Sequence, residues 1–357
     1  MTQKPHIKIG HRIIGDGYPV YVIAEVSANH GQSFDKAVEI IKAAKAAGAD
    51  AVKLQTYTPD TITIDCDNKY FQIKGTIWNG KNLYKLYGEA YTPWEWQPKL
   101  KKIADRLKID LFSTPFDFTS VDFLAKMKVP AYKIASFELV DIPLIRKVAR
   151  LGKPVIMSTG MATLGEIKNA VNAVKAEGNR QIALLKCTSE YPADPSDMNL
   201  RTIPDMAKKF GTVVGLSDHT LGLASSVAAV SLGACIIEKH LTLSRKDTGP
   251  DSSFSLEPGE LAELVREVRI VQKAIGKVRY MFTEKEKETR VFRRSLFAVK
   301  DIEKGEILTA ENIRSIRPGY GLPPKLHSKI IGCRAMKNIL RGTPLKLSML
   351  ERTRPIK

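Results

Sequence analysis

Along the first 275 residues, apolar positions recur in two alternating rhythms. Short apolar runs bounded by polar or turn-forming residues predict strands at Tyr21–Glu25, Ala51–Gln55, Asp110–Thr114, Ala131–Ile134, Val155–Ser158, Ile182–Lys186, Val213–Ser217 and Ile236–His240. Between them the apolar positions return every three to four residues, the spacing of one helix face, as over Phe34–Ala47 and Pro93–Leu107. The last such segment is the clearest. After Pro258, suited to a first helical turn, Leu261, Leu264, Val265, Val268, Val271 and Ile275 share a face. Eight strands alternating with helices over about 250 residues is the arithmetic of a (β/α)8 TIM barrel, an α/β fold. An open doubly wound sheet uses the same units, but the glycine-rich dinucleotide fingerprint is absent after the first strand.

Two stretches break the rhythm. Residues Thr56–Thr92 are too many for an ordinary barrel connection and carry Trp78, Tyr84 and Tyr87 among Lys and Asn. They read either as a substrate lid or sugar platform on the catalytic face, or as a packed excursion with a small core of its own. After Ile275 the pattern changes to a charged linker, 276–293, with room for a short helix. Residues 294–357 then alternate turns with short apolar strands, as in Asp301–Lys304–Gly305 and Asn338–Arg341–Gly342. This predicts a small, mostly β domain behind the 1–275 barrel. Its core is small for independent stability, so it is expected to dock on something.

Composition narrows the class. With 43% hydrophobic and 26% charged residues, the chain has the makeup of an ordinary globular protein. No apolar run approaches the roughly 18 residues of a membrane span, and the polar, basic start lacks a signal peptide's apolar segment. Cys66, Cys187, Cys235 and Cys333 follow neither a zinc nor a disulfide spacing. A cytoplasmic location without membrane partners is expected. The net charge of +18 suggests nucleic acid, but it is uneven: 20 of the 56 Lys and Arg, against 8 of the 38 Asp and Glu, lie from Gly276 onward. No nucleic-acid motif accompanies this basic region, so no nucleic-acid partner is expected. It suits an acidic surface of the first domain or a partner chain, or the steering of anionic substrates.

The catalytic face of such a barrel is built from the C-terminal strand ends, and here all eight are polar. They supply Glu25, Asn29 and His30; Lys53 and Gln55; Ser113 and Thr114; Lys133, Ser136 and Glu138. The second half adds Ser158, Thr159 and Gly160; Lys186, Thr188, Ser189 and Tyr191; Ser217, Asp218 and His219; Glu238, Lys239 and His240. Each alone has a structural explanation as a helix cap or a solvated side chain. Together, lysines and hydroxyls converging on one mouth form an anion site for phosphate and carboxylate. His219 and His240, on neighbouring strands, are placed to hold one divalent cation. With positions left open for water and substrate, Mn²⁺ or Mg²⁺ suits them better than structural zinc. His6, His11 and His327 lie outside this frame.

Two chemistries use lysines beside an anion site. One is a Schiff-base aldolase with Lys133 or Lys186 as nucleophile; the other is metal-assisted carbon–carbon bond formation with a phosphorylated enol. The histidine pair favours the second, and borohydride trapping with pyruvate separates them. A barrel reduced to carbohydrate binding is the non-enzymatic reading, and the fully polar strand ends speak against it.

The segments IAEVSANHGQ, AGADAVKLQTY, FSTPFD, YKIASFE, STGMAT, LKCTSEYP, GLSDHTLG and IEKH, followed by SIRPGYGL in the basic module, resemble in order the sialic acid synthase family. The C-terminal module resembles that family's antifreeze-like (SAF) domain, there a catalytic accessory. SANH, IKGTIWNGKNLYKLY, KIASFE and LKCTSEYP resemble the pseudaminic acid synthase branch most, whereas GPD at 249–251 is closer to the N-acetylneuraminate and legionaminate branches. The resemblance implies condensation of phosphoenolpyruvate with a free acetamido sugar. The acceptor it implies is 2,4-diacetamido-2,4,6-trideoxy-L-altrose, or on the alternative branches N-acetylmannosamine or its 2,4-diacetamido-6-deoxy analogue.

Carried over position by position, Lys53, Thr114, Lys133, Ser136, Ser158 and Ser217 correspond to the phosphoenolpyruvate site. His219 and His240 correspond to the ligands of Mn²⁺, Mg²⁺ or Co²⁺, and Gln55, Glu138, Tyr191 and Asp251 to sugar contacts. Arg317 corresponds to an arginine that reaches from one subunit's small domain into its partner's barrel, which implies a homodimer. Where some relatives place a substrate-contacting asparagine in the long insertion, this chain has Lys74, and no contact is assigned there. Glu25 is the candidate base for an attacking water, with a structural ion pair as the other reading.

Overall fold

The protein is described by a computed structural model covering residues 4–74, 78–247 and 249–351. Gly75, Thr76 and Ile77 of the long insertion, Thr248, and the last six residues of the small domain lie outside the described residues. In chain order the strands are β1 (His6–Ile9), β2 (Arg12–Gly15), β3 (Tyr21–Glu25), β4 (Ala51–Thr56), β5 (Asp110–Pro115), β6 (Tyr132–Ile134), β7 (Val155–Ser158), β8 (Ile182–Cys187), β9 (Val213–Asp218), β10 (Ile236–His240), β11 (Ser295–Ala298) and β12 (Ile313–Ile316).

Strands β3 to β10 close into a parallel barrel, β10 pairing both β9 and β3. Almost every position on them is buried, because the interior fills one face and the helices cover the other. That is why these strands read as near-continuous apolar runs. At closure, His240 lies opposite Glu25 and Glu238 opposite Ser217, which brings the first, seventh and eighth barrel strands to one point. Gly215 permits this packing: a Cβ there would sit 2.3 Å from the Ile236 carbonyl oxygen and 2.7 Å from Leu185 Cδ2. The helices start on local signals. Ser33 accepts from the Lys36 amide at the head of Phe34–Ala46, and Thr163 with Glu166 forms a capping box on Leu164–Ala176.

The structure adds an element that periodicity did not predict. The first two strands, β1 and β2, form an antiparallel hairpin whose Ile7, Ile9 and Ile14 join the main core. Arg12 in this hairpin is 3.2 Å from Asp50 and 3.2 Å from Asp110, Tyr21 donates to Asp110 at 2.8 Å, and Arg269 reaches Asp50 at 3.0 Å. These residues sit at the strand starts, opposite the catalytic face.

The long insertion carries local structure of its own. Short helices Pro59–Ile62 and Leu83–Ala90 flank a narrow ladder in which Ile73 donates to the Lys81 carbonyl and Leu83 to the Phe71 carbonyl, each at 2.9 Å. Residues Lys277–Lys357 form a separate compact unit. It opens with a short helix, Glu284–Thr289, and encloses Leu296, Ile302, Leu308, Ile313, Ile339 and Leu345. Its ladders are shorter than a mostly β domain suggests. Antiparallel β11 and β12 are supplemented by isolated bridges such as Ile302 with Ile339. No helix among the described residues is long and apolar enough to cross a membrane.

Candidate active site

The barrel brings one group of sequence-predicted residues into a cationic cradle. Lys53 on β4 donates to Thr114 Oγ1 on β5 at 3.3 Å, and Lys133 on β6 donates to Ser158 Oγ on β7 at 2.7 Å. Ser136 follows β6, and its hydroxyl lies 3.5 Å from Cys187 Sγ. Gly160 makes room for it. With φ of +42°, Gly160 holds a left-handed turn, and a Cβ there would meet Ser136 Cβ at 2.4 Å. All six residues of this cradle, including Ser217 on β9, are buried.

Two carboxylates share the lysines. Glu25 pairs with Lys53 at 2.8 Å, and Glu238 lies 3.5 Å from Lys53 and 3.7 Å from Lys133 while accepting from Ser217 at 3.1 Å. Burial pulls both ammonium groups down. On Lys53 the two carboxylates more than offset it and raise its pKa, whereas Lys133 stays below the usual lysine value. Burial pushes Glu25 above the usual carboxylate range, Lys53 opposing and Glu238 adding; on Glu238 burial is outweighed by Lys133 and Lys53, and its pKa is lowered. Gln55 holds Glu25 in place, donating to its Oε1 at 3.1 Å and to Ser27 at 2.8 Å.

Facing this cradle is an aromatic and imidazole wall. Ring centroids of His219 and His240 are 5.4 Å apart, and Tyr191 packs 4.4 Å from His219. Phe254 lies 5.0 Å from His240 and 5.2 Å from Tyr191, and Trp78 from the long insertion lies 5.6 Å from Tyr191. The His219 Nδ1–H donates to the Thr188 carbonyl at 2.8 Å, which leaves Nε2 as the nitrogen for a ligand. Burial, then the positive neighbours His219 and Lys53, lowers His240 well below the usual histidine value, so its ring is neutral near pH 7. Its buried Nδ1 has no hydrogen-bond partner among the described residues, and Asp251 Oδ2 stands 3.8 Å away.

No group of three or more His, Cys, Asp or Glu side chains that could hold a metal occurs among the described residues. Two close imidazoles, one of them neutral and unpartnered, nevertheless fit a cation that takes its remaining ligands from water and substrate.

Glu138, in the turn Phe137–Val140, completes the barrel's predicted set. Burial raises its carboxyl to about 7, and its Oε2 is buried without a hydrogen-bond partner among the described residues. Arg317 lies exposed in the other unit, just after β12. Some polar strand ends do other work. Lys239 and Asp218 pair at 2.9 Å on the strand faces opposite Glu238 and Ser217, rather than entering the mouth. Lys186 donates to the Cys187 carbonyl at 2.8 Å, Asn29 to the Leu241 carbonyl at 2.9 Å, and His30 contacts Thr92 at 3.1 Å.

Glu238 was noted in the sequence only as a strand-end residue. Its two-residue spacing from His240 was the available signal, because it puts both on the same strand face. Phe254 and Cys187 carried no comparable signal.

Residues 40–280 match the profile of the NeuB family, and residues 293–351 that of the SAF domain. The chain is 46% identical over 327 residues to the pseudaminic acid synthase of Campylobacter jejuni serotype O:2, a match covering 92% of this chain and 95% of that one. To the N,N'-diacetyllegionaminic acid synthase of the same strain it is 38% identical over 321 residues, covering 89% and 96%. Among solved structures it is similar to the N-acetylneuraminic acid synthetase of Leptospira borgpetersenii in complex with citrate. The TM-score is 0.72 and the identity 33%, covering 80% of this chain and 95% of that one.

Proposed function

Because the chain belongs to the NeuB family, we propose that it condenses phosphoenolpyruvate with 2,4-diacetamido-2,4,6-trideoxy-L-altrose and water to give pseudaminic acid and phosphate. The observation that carries the reaction is the division of the pocket into a cradle of two buried lysines with four hydroxyls and a facing wall of imidazole and aromatic rings. The cradle suits a small, doubly anionic substrate, and the wall suits a sugar. For the acceptor, the support is the higher identity to the pseudaminic than to the legionaminic acid synthase of one organism.

Lys53 and Lys133, with Thr114, Ser136, Ser158 and Ser217, hold the phosphate and carboxylate. The incoming anion takes over the positive charge that Glu25 and Glu238 neutralise in its absence. Gln55, Glu138, Tyr191 and Asp251 hold the open-chain sugar so that its aldehyde carbon meets the methylene carbon of phosphoenolpyruvate. A divalent cation, Mn²⁺ or Mg²⁺ with Co²⁺ as a substitute, held by His219 and His240 would supply Lewis acidity toward the aldehyde oxygen.

Carbon–carbon bond formation turns the aldehyde oxygen into an alkoxide that takes up a proton, and it leaves a cationic centre at the neighbouring carbon that bears the phosphate oxygen, where water adds. Glu25 is the base that takes this water's proton; its tie to Gln55 keeps the carboxylate aimed while Lys53 turns to the anion. The tetrahedral intermediate then expels phosphate by C–O cleavage, giving the product's 2-oxo acid. We place the reaction in the cytoplasm, where phosphoenolpyruvate is made.

The working unit is a homodimer, in which Arg317 of one small domain approaches the partner's barrel and forks onto acetamido or hydroxyl oxygens. Support comes from an apolar rim exposed on the βα loops and the helix starts that follow them: Phe118, Phe137, Met161, Leu164 and Leu221. GPD at 249–251, which includes the proposed sugar contact Asp251, favours a second reading with an N-acetylneuraminate or legionaminate acceptor.

One assay decides: phosphate release from phosphoenolpyruvate against a panel of free acetamido sugars, in chelator-stripped enzyme with and without added Mn²⁺. Release with the altrose derivative and Mn²⁺ is expected. Exclusive use of N-acetylmannosamine would move the assignment to the second reading, and full rate in the stripped enzyme would remove the cation.

A further inference from the structure

The aromatic wall has a member that the reaction itself does not require. Trp78 enters from the long insertion, and its indole N–H donates to the Pro250 carbonyl at 3.3 Å, joining the loop after β4 to the loop after β10. Its ring packs against Tyr191, which in turn packs on His219, while Phe254 closes the same wall from the other side. The ring's single donor is thus engaged by backbone. What Trp78 offers toward Tyr191 is apolar surface without a hydrogen-bonding group.

The two halves of the pocket therefore treat polar groups differently. On the cradle side nearly every side chain is a donor or an ion. On the wall side a hydroxyl placed against the rings of Trp78 and Phe254, away from the Tyr191 hydroxyl, would leave water for ring carbons. A methyl group placed there would be buried at a gain.

We propose that Trp78 is a specificity-determining residue, whose ring selects an acceptor ending in a methyl carbon over one ending in a hydroxymethyl carbon. This rests on the sugar-condensing function proposed above and adds the residue that reads the sugar's far end. An apolar pocket rejects an added hydroxyl by about 10- to 100-fold, which sets the scale of the effect.

The test measures kcat/KM for a matched pair of acceptors, the 6-deoxy diacetamido sugar and its 6-hydroxy counterpart, at saturating phosphoenolpyruvate. Wild type, Trp78→Ala and Trp78→Phe are compared, each checked for wild-type circular dichroism and an unchanged KM for phosphoenolpyruvate. Wild type should prefer the 6-deoxy sugar by about 10- to 100-fold. Trp78→Ala should lose most of that preference, chiefly through the KM of the 6-deoxy sugar. Trp78→Phe removes the bond to Pro250 but keeps an aromatic ring, and it should retain the preference.

An unchanged preference in Trp78→Ala overturns the inference and leaves the proposed function standing. So does an equal collapse in both variants, which would assign the effect to the loop-to-loop hydrogen bond. A raised KM for phosphoenolpyruvate in Trp78→Ala would likewise mark a general structural role. Wild-type enzyme that turns over neither sugar overturns the proposed function and this inference together.

Discussion

Glu138 and Glu25 show how burial and neighbours give two carboxyls different work. Burial lifts Glu138 to about 7 even with Lys133 nearby, above the 4.5 of an unperturbed glutamate. The folded protein therefore holds a proton that the unfolded chain releases. This group's contribution to stability is complete below about pH 4.5 and is lost as the pH rises through about 7. Glu138→Gln should flatten the decline in urea midpoint between those limits, and an identical decline in the variant would point to another group. Glu25 is raised by burial as well, but a lysine and an amide hold it, as its proposed role of base requires. Glu25→Gln should lower kcat by about 10²- to 10⁴-fold with little change in the KM for phosphoenolpyruvate. A loss under tenfold would return Glu25 to the role of a structural ion-pair partner.

Strands and loops divide the barrel into a face for chemistry and a face for stability. At the strand starts, Asp110 accepts from Tyr21 and Arg12 and ties the N-terminal hairpin to the barrel. Asp110→Asn should cost about 1–3 kcal/mol of stability while kcat stays near wild type, since no strand-end group touches this cluster. A melting curve beside a turnover assay checks both halves of that statement. The same division governs what the sequence could reveal. All eight barrel strands were legible because both of their faces are buried, and their polar ends stand out against apolar runs. The hairpin was not, because its strands are only four residues each, HIKI and RIIG, and sit in a segment rich in His, Lys, Arg and Gly. The sharing of Lys53 and Lys133 between Glu25 and Glu238 was also hidden. It depends on β10 closing against β3, a register that no local pattern states. Lys239 and Asp218 looked like site residues in sequence because a one-dimensional strand end does not say which face a side chain takes.

At the scale of the molecule, the barrel holds every predicted site residue except Arg317, and its mouth is rimmed by exposed apolar side chains. In the proposed dimer the basic excess of the second unit would face an anion-loaded mouth of the partner's barrel, and Arg317 lies exposed. The proposed dimer makes a quantitative prediction, because it puts the two halves of each active site on different chains. Arg317→Ala should abolish turnover in an otherwise folded protein, and Glu25→Gln should leave at most about a hundredth of it. Co-expressed, the two inactive chains pair at random, so about half the dimers are mixed, and each mixed dimer joins one intact barrel to one intact arm. Turnover should recover to about a quarter of wild type. Activity confined to the sum of the two variants alone, or a monomer by sedimentation, would place Arg317 outside the partner's site. Full activity of Arg317→Ala by itself would remove the arm from catalysis altogether.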